Sequence, residues 1–381
     1  MEKKIKTATV TWHYYNNYGT QLQEYALQRY ILSLQYKNFI FDDTDILKTI
    51  RSKHIKVSCY VVIKRFAKNI LLKIKRFFVK NTLDYYYNSI RSLESFKKHY
   101  LFTKKVNFKN LPKYHKEFSA FICGSDQIWS PLDYNFFGYY WLDFVTKNKI
   151  SYATSLGTTK IDLKIEDIRK YLKSFSSISV REKQSSIQLN KLLNTTDVKF
   201  VCDPTLLFDK TFWGDFSKKI KTKETNYLLC YYLENKEWYF KYARGIAKKL
   251  GLRVLLIPNK KEFNRNSWVI KQAVGPKEFV SYFKNASYVI TDSYHGSIFS
   301  LLFEKQFTHL LRFEEDNAIN QNIRIESLFS YLSLDNIVCK RTNTIAIPTT
   351  INYSVINGKL ESFRIESRNY LKDALQKVKR F

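Results

Sequence analysis

Short apolar runs alternate with polar loops and longer amphipathic stretches along most of the chain. Residues 7–12 read as a strand, 13–20 (HYYNNYGT) as a polar loop, and 21–34 as a helix with Leu22, Tyr25, Ala26 and Leu27 on its apolar side. Residues 118–123 form a second strand pattern, followed by Gly124, Ser125, Asp126 and Gln127. Residues 178–180 lead through Arg181 and Glu182 to a helix over 184–193, and 198–201 lead to Cys202, Asp203, Pro204 and Thr205. Beyond Lys221 the pattern restarts with a strand at 227–232, a helix at 236–250, a strand at 253–257 and a helix at 277–284. A buried strand at 286–290 follows, then an apolar helix entered at 298–303. Such alternation predicts an α/β protein with parallel sheets covered by helices. A chain of 381 residues, 45% hydrophobic, is long enough for two cores, since single cores stop growing at about 250–300 residues. The lysine-rich stretch 208–226 is the expected boundary, giving units 1–207 and 208–381.

Composition narrows the class. The five cysteines, at 59, 123, 202, 230 and 339, contain no C-x-x-C pair, which argues against a disulfide framework or thiolate metal site and for a reducing compartment. The histidines, at 13, 54, 99, 115, 295 and 309, are scattered, so no metal is expected. No signal peptide opens the chain and no apolar stretch approaches 18 residues, so a cytoplasmic location is expected.

The formal charge of +30 favours polyanions or anionic lipid as partners, although Lys, Asn, Ile, Tyr and Phe are all favoured by AT-rich codons. Its distribution says more. Residues 51–80 hold ten Lys or Arg and no acid, interleaved with Val62, Phe66, Ile70, Leu71, Ile74, Phe77 and Phe78 at helical spacing. This is the pattern of a basic amphipathic helix, suited either to peripheral contact with an anionic membrane or to an ordinary surface position with snorkelling lysines. Zinc-finger spacing, an RNP-like aromatic motif and a helix-turn-helix signature are all missing, so nucleic acid is not expected as a partner.

The strand-to-helix loops carry the candidate chemistry. In a parallel α/β sheet they lie at the carboxyl ends of strands, where helix-start amides face a bound group. The stretch 290–300 (ITDSYHGSIFS) places Asp292, Ser293, Tyr294, His295, Gly296 and Ser297 on such a loop, and Asn16, Asn17 and Gly19 follow the first strand. Gly124, Ser125 and Asp126 follow another, and Arg181 a third. Each has a plain alternative as a cap, turn or surface ion pair. Their coincidence points to a shared crevice.

The segments 16–28 (NNYGTQLQEYALQ), 123–129 (CGSDQIW), 151–157 (SYATSLG), 179–182 (SVRE), 202–207 (CDPTLL) and 291–296 (TDSYHG) resemble, in order, the motifs of the polysaccharide pyruvyl transferases. The resemblance implies a GT-B-like fold, with two Rossmann-like domains facing a cleft, the first on the acceptor side and the second on the donor side. It also implies transfer of a pyruvyl group from phosphoenolpyruvate, a donor substrate rather than a cofactor, to two hydroxyls of a sugar in a cell-surface glycan or its lipid-linked precursor. By the same resemblance Arg181 and His295 are the expected catalytic pair. Asn17, Gly19, Ser125, Asp126, Ser293, Tyr294, Gly296, Ser297 and Arg324 are the expected substrate contacts. Some members carry Arg where this chain has Ser293, leaving Arg181, Arg312 or Arg324 to supply the missing cation. Two alternatives stand beside this reading: a GT-B-type glycosyltransferase using a nucleotide sugar, and a non-enzymatic basic protein that binds membrane or polyanion.

Overall fold

The computed structural model describes residues 5–54, 84–131, 138–161, 164–220, 222, 224–314, 317, 320–341, 345–348 and 350–379. Beyond residue 54 the basic stretch 51–80 lies outside the described residues.

Two parallel sheets dominate. The first has six strands: β1 (Lys6–Val10), β2 (Lys37–Asp42), β3 (Thr103–Lys105), β4 (Ala120–Cys123), β5 (Lys149–Ser151) and β6 (Phe175–Ser177), in the spatial order 3-2-1-4-5-6. This is the doubly wound order of dinucleotide-binding sheets, with its switch point between β1 and β4. A short pair, β7 (Ser179–Val180) and β8 (Lys199–Phe200), is linked to it by the bridge Thr154–Val180. The second sheet contains β9 (Tyr227–Tyr231), β10 (Arg253–Leu256), β11 (Tyr288–Thr291), β12 (Phe307–Leu310) and β13 (Val338–Cys339), in the order 10-9-11-12-13. Around them run α1 (Tyr18–Ser33), α2 (Thr44–His54), α3 (Tyr85–Tyr100), α4 (Ile165–Leu172), α5 (Lys183–Leu193), α6 (Lys210–Ser217), α7 (Glu237–Leu250), α8 (Pro276–Asn285), α9 (Tyr294–Leu302), α10 (Ile323–Leu332) and α11 (Tyr353–Lys379).

Alternation along the strands divides the core. In β9, Tyr227, Leu229 and Tyr231 join the largest apolar cluster, while Leu228, Cys230 and Tyr232 join another behind the sheet. In β4, Ala120 and Ile122 join that same largest cluster, while Phe121 and Cys123 face a third one. The inner faces of both sheets therefore share one continuous core, bridged by α1 and α11. Tyr18 of α1 stacks on Phe279 of α8, ring centroids 4.8 Å apart, and donates its hydroxyl to Val274 O.

Two local expectations are corrected. Helix α1 begins at Tyr18 rather than 21, because Asn17 is a side-chain cap and its Oδ1 accepts from the amides of Gly19 and Thr20. Helix α9 begins at Tyr294 rather than 298, because Ser293 caps it by accepting from Gly296 N. His295 therefore belongs to a first helical turn rather than to a loop. The stretch 208–226 carries α6, capped by Asp209, whose Trp213 is fully buried.

Helix α11 follows the second sheet in sequence yet packs on elements of the first. Tyr36 donates to Leu375 O, Tyr370 to Ser151 O, and Cys202 N to Ser367 Oγ. The guanidiniums of Arg364 and Arg368 donate to the carbonyls of Leu206 and Leu207, the end of a 3-10 turn over Pro204–Leu207.

Candidate functional site

The first turns of α1 and α9 meet. A Cβ on Gly19, in the first turn of α1, would lie 2.1 Å from Nδ1 of His295, in the first turn of α9, so only glycine lets the imidazole rest there. Gly296 serves the same helix differently, since a Cβ there would lie 2.4 Å from Thr291 Oγ1 at the end of β11. Each of the two helix N-termini directs positive potential into the junction.

Carboxylates and one guanidinium organise it. Arg181, fully buried after β7, donates from Nη1 to Asp203 Oδ2 at 2.7 Å and from Nη2 to Asp126 Oδ1 at 3.5 Å. The face of its guanidinium covers the Tyr294 ring, 4.5 Å from the centroid. Asp203 Oδ1 accepts from Thr205 N and Thr205 Oγ1, and its Oδ2 lies 3.4 Å from His295 Nε2. That separation suits an ion pair rather than a hydrogen bond, and His295 Nε2 has no hydrogen-bond partner. Burial alone would raise the Asp203 pKa, but His295, Arg181 and the Thr205 amide hold it well below the usual carboxylate range. Asp126 Oδ2 accepts from Thr20 Oγ1 at 2.8 Å, which joins the start of α1 to the same network. The sequence thus supplies a chain, His295–Asp203–Arg181–Asp126–Thr20, running from one helix start to the other.

Of the residues expected from sequence, Gly19, Asp126, Arg181, Tyr294 and His295 come together here. Asn17 and Ser293 act as the two helix caps. Ser125 is buried, with its hydroxyl donating to Ala153 O at 2.6 Å and its amide to Gln23 Oε1, so it fixes the loop after β4. The Ser297 hydroxyl meets His309 Nδ1 at 2.9 Å in the core. Arg324, in the first turn of α10, donates to Gln321, and it is lowered to about 9 by burial and by the charges of Arg312 and Arg181. Arg181 itself is engaged by carboxylates, so a bound anion would have to compete with Asp203 and Asp126 for its terminal nitrogens.

Sequence reading passed over Asp203 and Thr20, although both stand inside quoted motifs, and Glu182, whose Oε1 lies 3.9 Å from Arg181 Nε. It also passed over a second polar group at the ends of β1 and β2. His13 Nδ1 meets Glu24 Oε2 at 2.9 Å, while Asp43 accepts from Tyr14 N and from the Tyr140 hydroxyl at 2.6 Å. Burial, against the Tyr140 bond and His13, raises Asp43 to about 7. The signal for Asp43 was the strand KNFIFDD, whose apolar positions are too few to stand out. Among the described residues, no group of three or more His, Cys, Asp or Glu is placed to hold a metal ion.

Two parallel α/β sheets, the first in doubly wound order, make a GT-B-type architecture. A protein described as a UDP-N-acetylglucosamine 2-epimerase from Listeria monocytogenes aligns over 98% of this chain and 91% of its own, with 9% identity and a TM-score of 0.50. The UDP-GlcNAc 2-epimerases of Methanocaldococcus jannaschii and Neisseria meningitidis each align over 96% of this chain and 99% of their own at 11% identity, with TM-scores of 0.45 and 0.43. At 9% identity, the likeness to the Listeria protein speaks to fold alone. A comparison with curated proteins finds no match. The family model for polysaccharide pyruvyl transferase matches residues 17–312, a span that begins at the cap of α1 and includes the whole His295–Thr20 chain, and the protein belongs to that family of transferases.

Proposed function

We propose that the protein transfers a pyruvyl group from phosphoenolpyruvate to two hydroxyls of a sugar, leaving a cyclic ketal and inorganic phosphate. The observation that carries this reading is the His295–Asp203–Arg181 chain at the meeting of two helix starts, inside the family-matched span. The donor is an enol ester with a phosphate and a carboxylate, and its central carbon becomes electrophilic only when the methylene is protonated. An imidazolium at His295, with its charge balanced by Asp203, is the group suited to give that proton. The two acceptor hydroxyls then add to the central carbon and the C–O bond to phosphate breaks. Of the two hydroxyl protons released, one restores His295 and the other leaves with phosphate, so the net reaction consumes no acid or base. Helix-start amides of α1 and α9 would stabilise the departing negative charge.

The acceptor belongs on the side of the first sheet, and a lipid-linked oligosaccharide fits the basic stretch 51–80 as a membrane-directed segment. Among the described residues, no helix is long and apolar enough to cross a membrane. The test is phosphate release from phosphoenolpyruvate by purified protein, with and without a glycolipid fraction as acceptor. Acceptor-dependent release supports the reading. Consumption of a nucleotide sugar with phosphoenolpyruvate untouched would replace it with the glycosyltransferase alternative.

A further inference from the structure

Aromatic side chains lie almost entirely inside this protein, and the exceptions stand together. Among the described residues the strongly exposed aromatic side chains are Tyr100, Phe102 and Phe108, at 42%, 57% and 43% of full exposure. All three flank β3, the edge strand of the first sheet. Each is presented on a held backbone. Tyr100 closes α3 with its ring stacked on Phe96, centroids 4.9 Å apart. Phe102 N donates to Gln28 Oε1, and Phe102 O accepts from Gln28 Nε2, both at 2.9 Å. Phe108 lies in a turn closed by Asn107 and Asn110, whose side chains accept from each other's amides at 2.8 and 3.0 Å.

The charge around these rings has one sign. Residues 95–116 hold seven Lys and no Asp, Glu or Arg. The next acid, Glu117, already accepts from Lys104 at 2.6 Å. Among the described residues Lys105, Lys109, Lys113 and Lys116 form no ion pair. In the 3-10 turn Leu111–Lys116 three residues complete a turn, so Leu111 and Tyr114 are buried on one side while Lys113 and Lys116 share an exposed one. The Tyr114 hydroxyl donates to Lys105 O at 3.4 Å, and the Lys104 ammonium lies 4.8 Å from the Tyr114 ring centroid, so this turn packs beside β3. Lysines on an edge strand discourage pairing between copies, but exposed rings beside them act the other way, so edge protection does not account for the combination.

Rings presented at the level of ammonium groups match the boundary of an anionic bilayer, where aromatic side chains settle among headgroups and lysines meet lipid phosphate. Nucleic acid fits less well. A base stacks on an open ring face, whereas the Tyr100 ring already holds Phe96 and the Lys277 ammonium, 4.4 Å from its centroid. Arginine, whose planar fork suits nucleic-acid phosphates, is missing from the segment. Position adds a reason. Only β2 separates β3 from β1, so the carboxyl end of β3 lies about 10 Å along the sheet from the end of β1 that leads to α1.

We propose that the β3 edge and the turns beside it form a membrane-contact face for anionic lipid, with Phe102 and Phe108 entering the headgroup region and Lys105, Lys109, Lys113 and Lys116 meeting lipid phosphates. The face is distinct from the stretch 51–80, which the same β2–β3 crossover carries, and the two act together as attachments that are each marginal alone. It does not depend on the pyruvyl reading. The test is co-sedimentation of the whole chain with sucrose-loaded vesicles of phosphatidylcholine, alone or mixed with phosphatidylglycerol. Wild type should bind only the mixed vesicles. Phe102→Ser with Phe108→Ser should weaken that binding roughly tenfold or more. Lys105→Glu, Lys109→Glu and Lys113→Glu together should weaken it roughly 100-fold, at about fivefold or more per reversal. Melting temperatures should match wild type, since all five side chains are exposed. An equal charge change elsewhere, Lys248→Glu with Lys372→Glu and Lys377→Glu, should cost less than about tenfold. Equal losses in the two charge triples, or wild-type binding in the Phe double variant, overturn the face in favour of attraction by net charge. So does an oligonucleotide that binds through the two Phe residues while vesicles do not bind at all, or a dimer that the Phe double variant dissolves with no vesicle binding in wild type. Phosphate release from phosphoenolpyruvate with a soluble acceptor should be the same in every variant, so failure of the face and failure of the pyruvyl reading are read separately.

Discussion

At the scale of single residues, two buried carboxylates show how opposite environments give opposite pH behaviour. Asp203, bound by Arg181, His295 and Thr205, has its pKa depressed from 3.8. Its contribution to stability is therefore present above that value and lost as pH falls below it. Asp43, raised to about 7 mainly by burial, behaves in the reverse sense: its contribution is present below about 4 and lost as pH rises towards 7. Equilibrium unfolding from pH 3 to 8 should show Asp43→Asn removing a downward slope of up to about 1.4 kcal/mol per pH unit between pH 4 and 7. Asp203→Asn should instead lower stability at neutral pH by about 3 kcal/mol, because Arg181 keeps a buried charge with a weakened partner. Gly19→Ala is the sharpest probe of the cleft. The added methyl meets the His295 imidazole, whereas helix α1 loses nothing in propensity. Turnover should fall at least roughly tenfold, well beyond what the modest loss of melting temperature from overpacking by one methyl explains, while His295→Asn should lower turnover roughly 10²–10⁴-fold if the imidazole moves a proton. Equal losses of activity and stability in Gly19→Ala would place its effect in folding instead.

At the scale of elements, the first turns of α1 and α9 do most to set the cleft, and both were hard to read in the sequence. Asn17 and Ser293 belong to polar stretches that look like loop, yet each side chain satisfies helix-start amides and draws the helix towards the site. Replacing either by Ala should cost about 1 kcal/mol in unfolding experiments. Ser293→Arg should cost as much, because the longer side chain supplies a cation but no cap; equal stability with wild type would show the cap to be unimportant. The alternation of strand and helix was legible because strands such as 227–232 and helices such as 236–250 are long and regularly patterned. Helix α6 was not, since lysines surround Trp213, Phe212 and Phe216 and hide the buried face. The strand-end positions of Asp126, Arg181 and His295 were readable one by one. Their partnership was not, because Arg181 reaches Asp203 across 22 residues and Asp126 across 55. Asp203 looks like an ordinary turn residue until the fold delivers a guanidinium and an imidazole to the same oxygen.

At the scale of the whole molecule, α11 ties the last described segment to the first sheet. Its arginines hold the carbonyls at the end of the turn that begins beside Asp203, so removal of the chain from Tyr353 onward should lower melting temperature and abolish activity together. A truncated chain with wild-type melting would show the helix to be dispensable. The basic stretch makes a separate prediction. Charge reversal at Lys64, Arg65, Lys73 and Lys75 should release the protein from anionic vesicles in a flotation assay while leaving turnover of a short soluble acceptor intact. Unchanged flotation would remove the membrane from the picture. The α11 contact also imposes a schedule on synthesis. Arg364 lies 158 residues downstream of the Leu206 carbonyl that it caps. At about 5–20 residues per second, a ribosome needs roughly 8–30 s to make the intervening chain. During that interval the first sheet is already present, but the turn bearing Asp203 lacks its clasp. A chain abandoned by a ribosome stalled after His295 but before α11 is made would therefore carry every residue of the His295–Asp203–Arg181 chain and still lack the brace that holds it, which leaves such fragments inert rather than partly active.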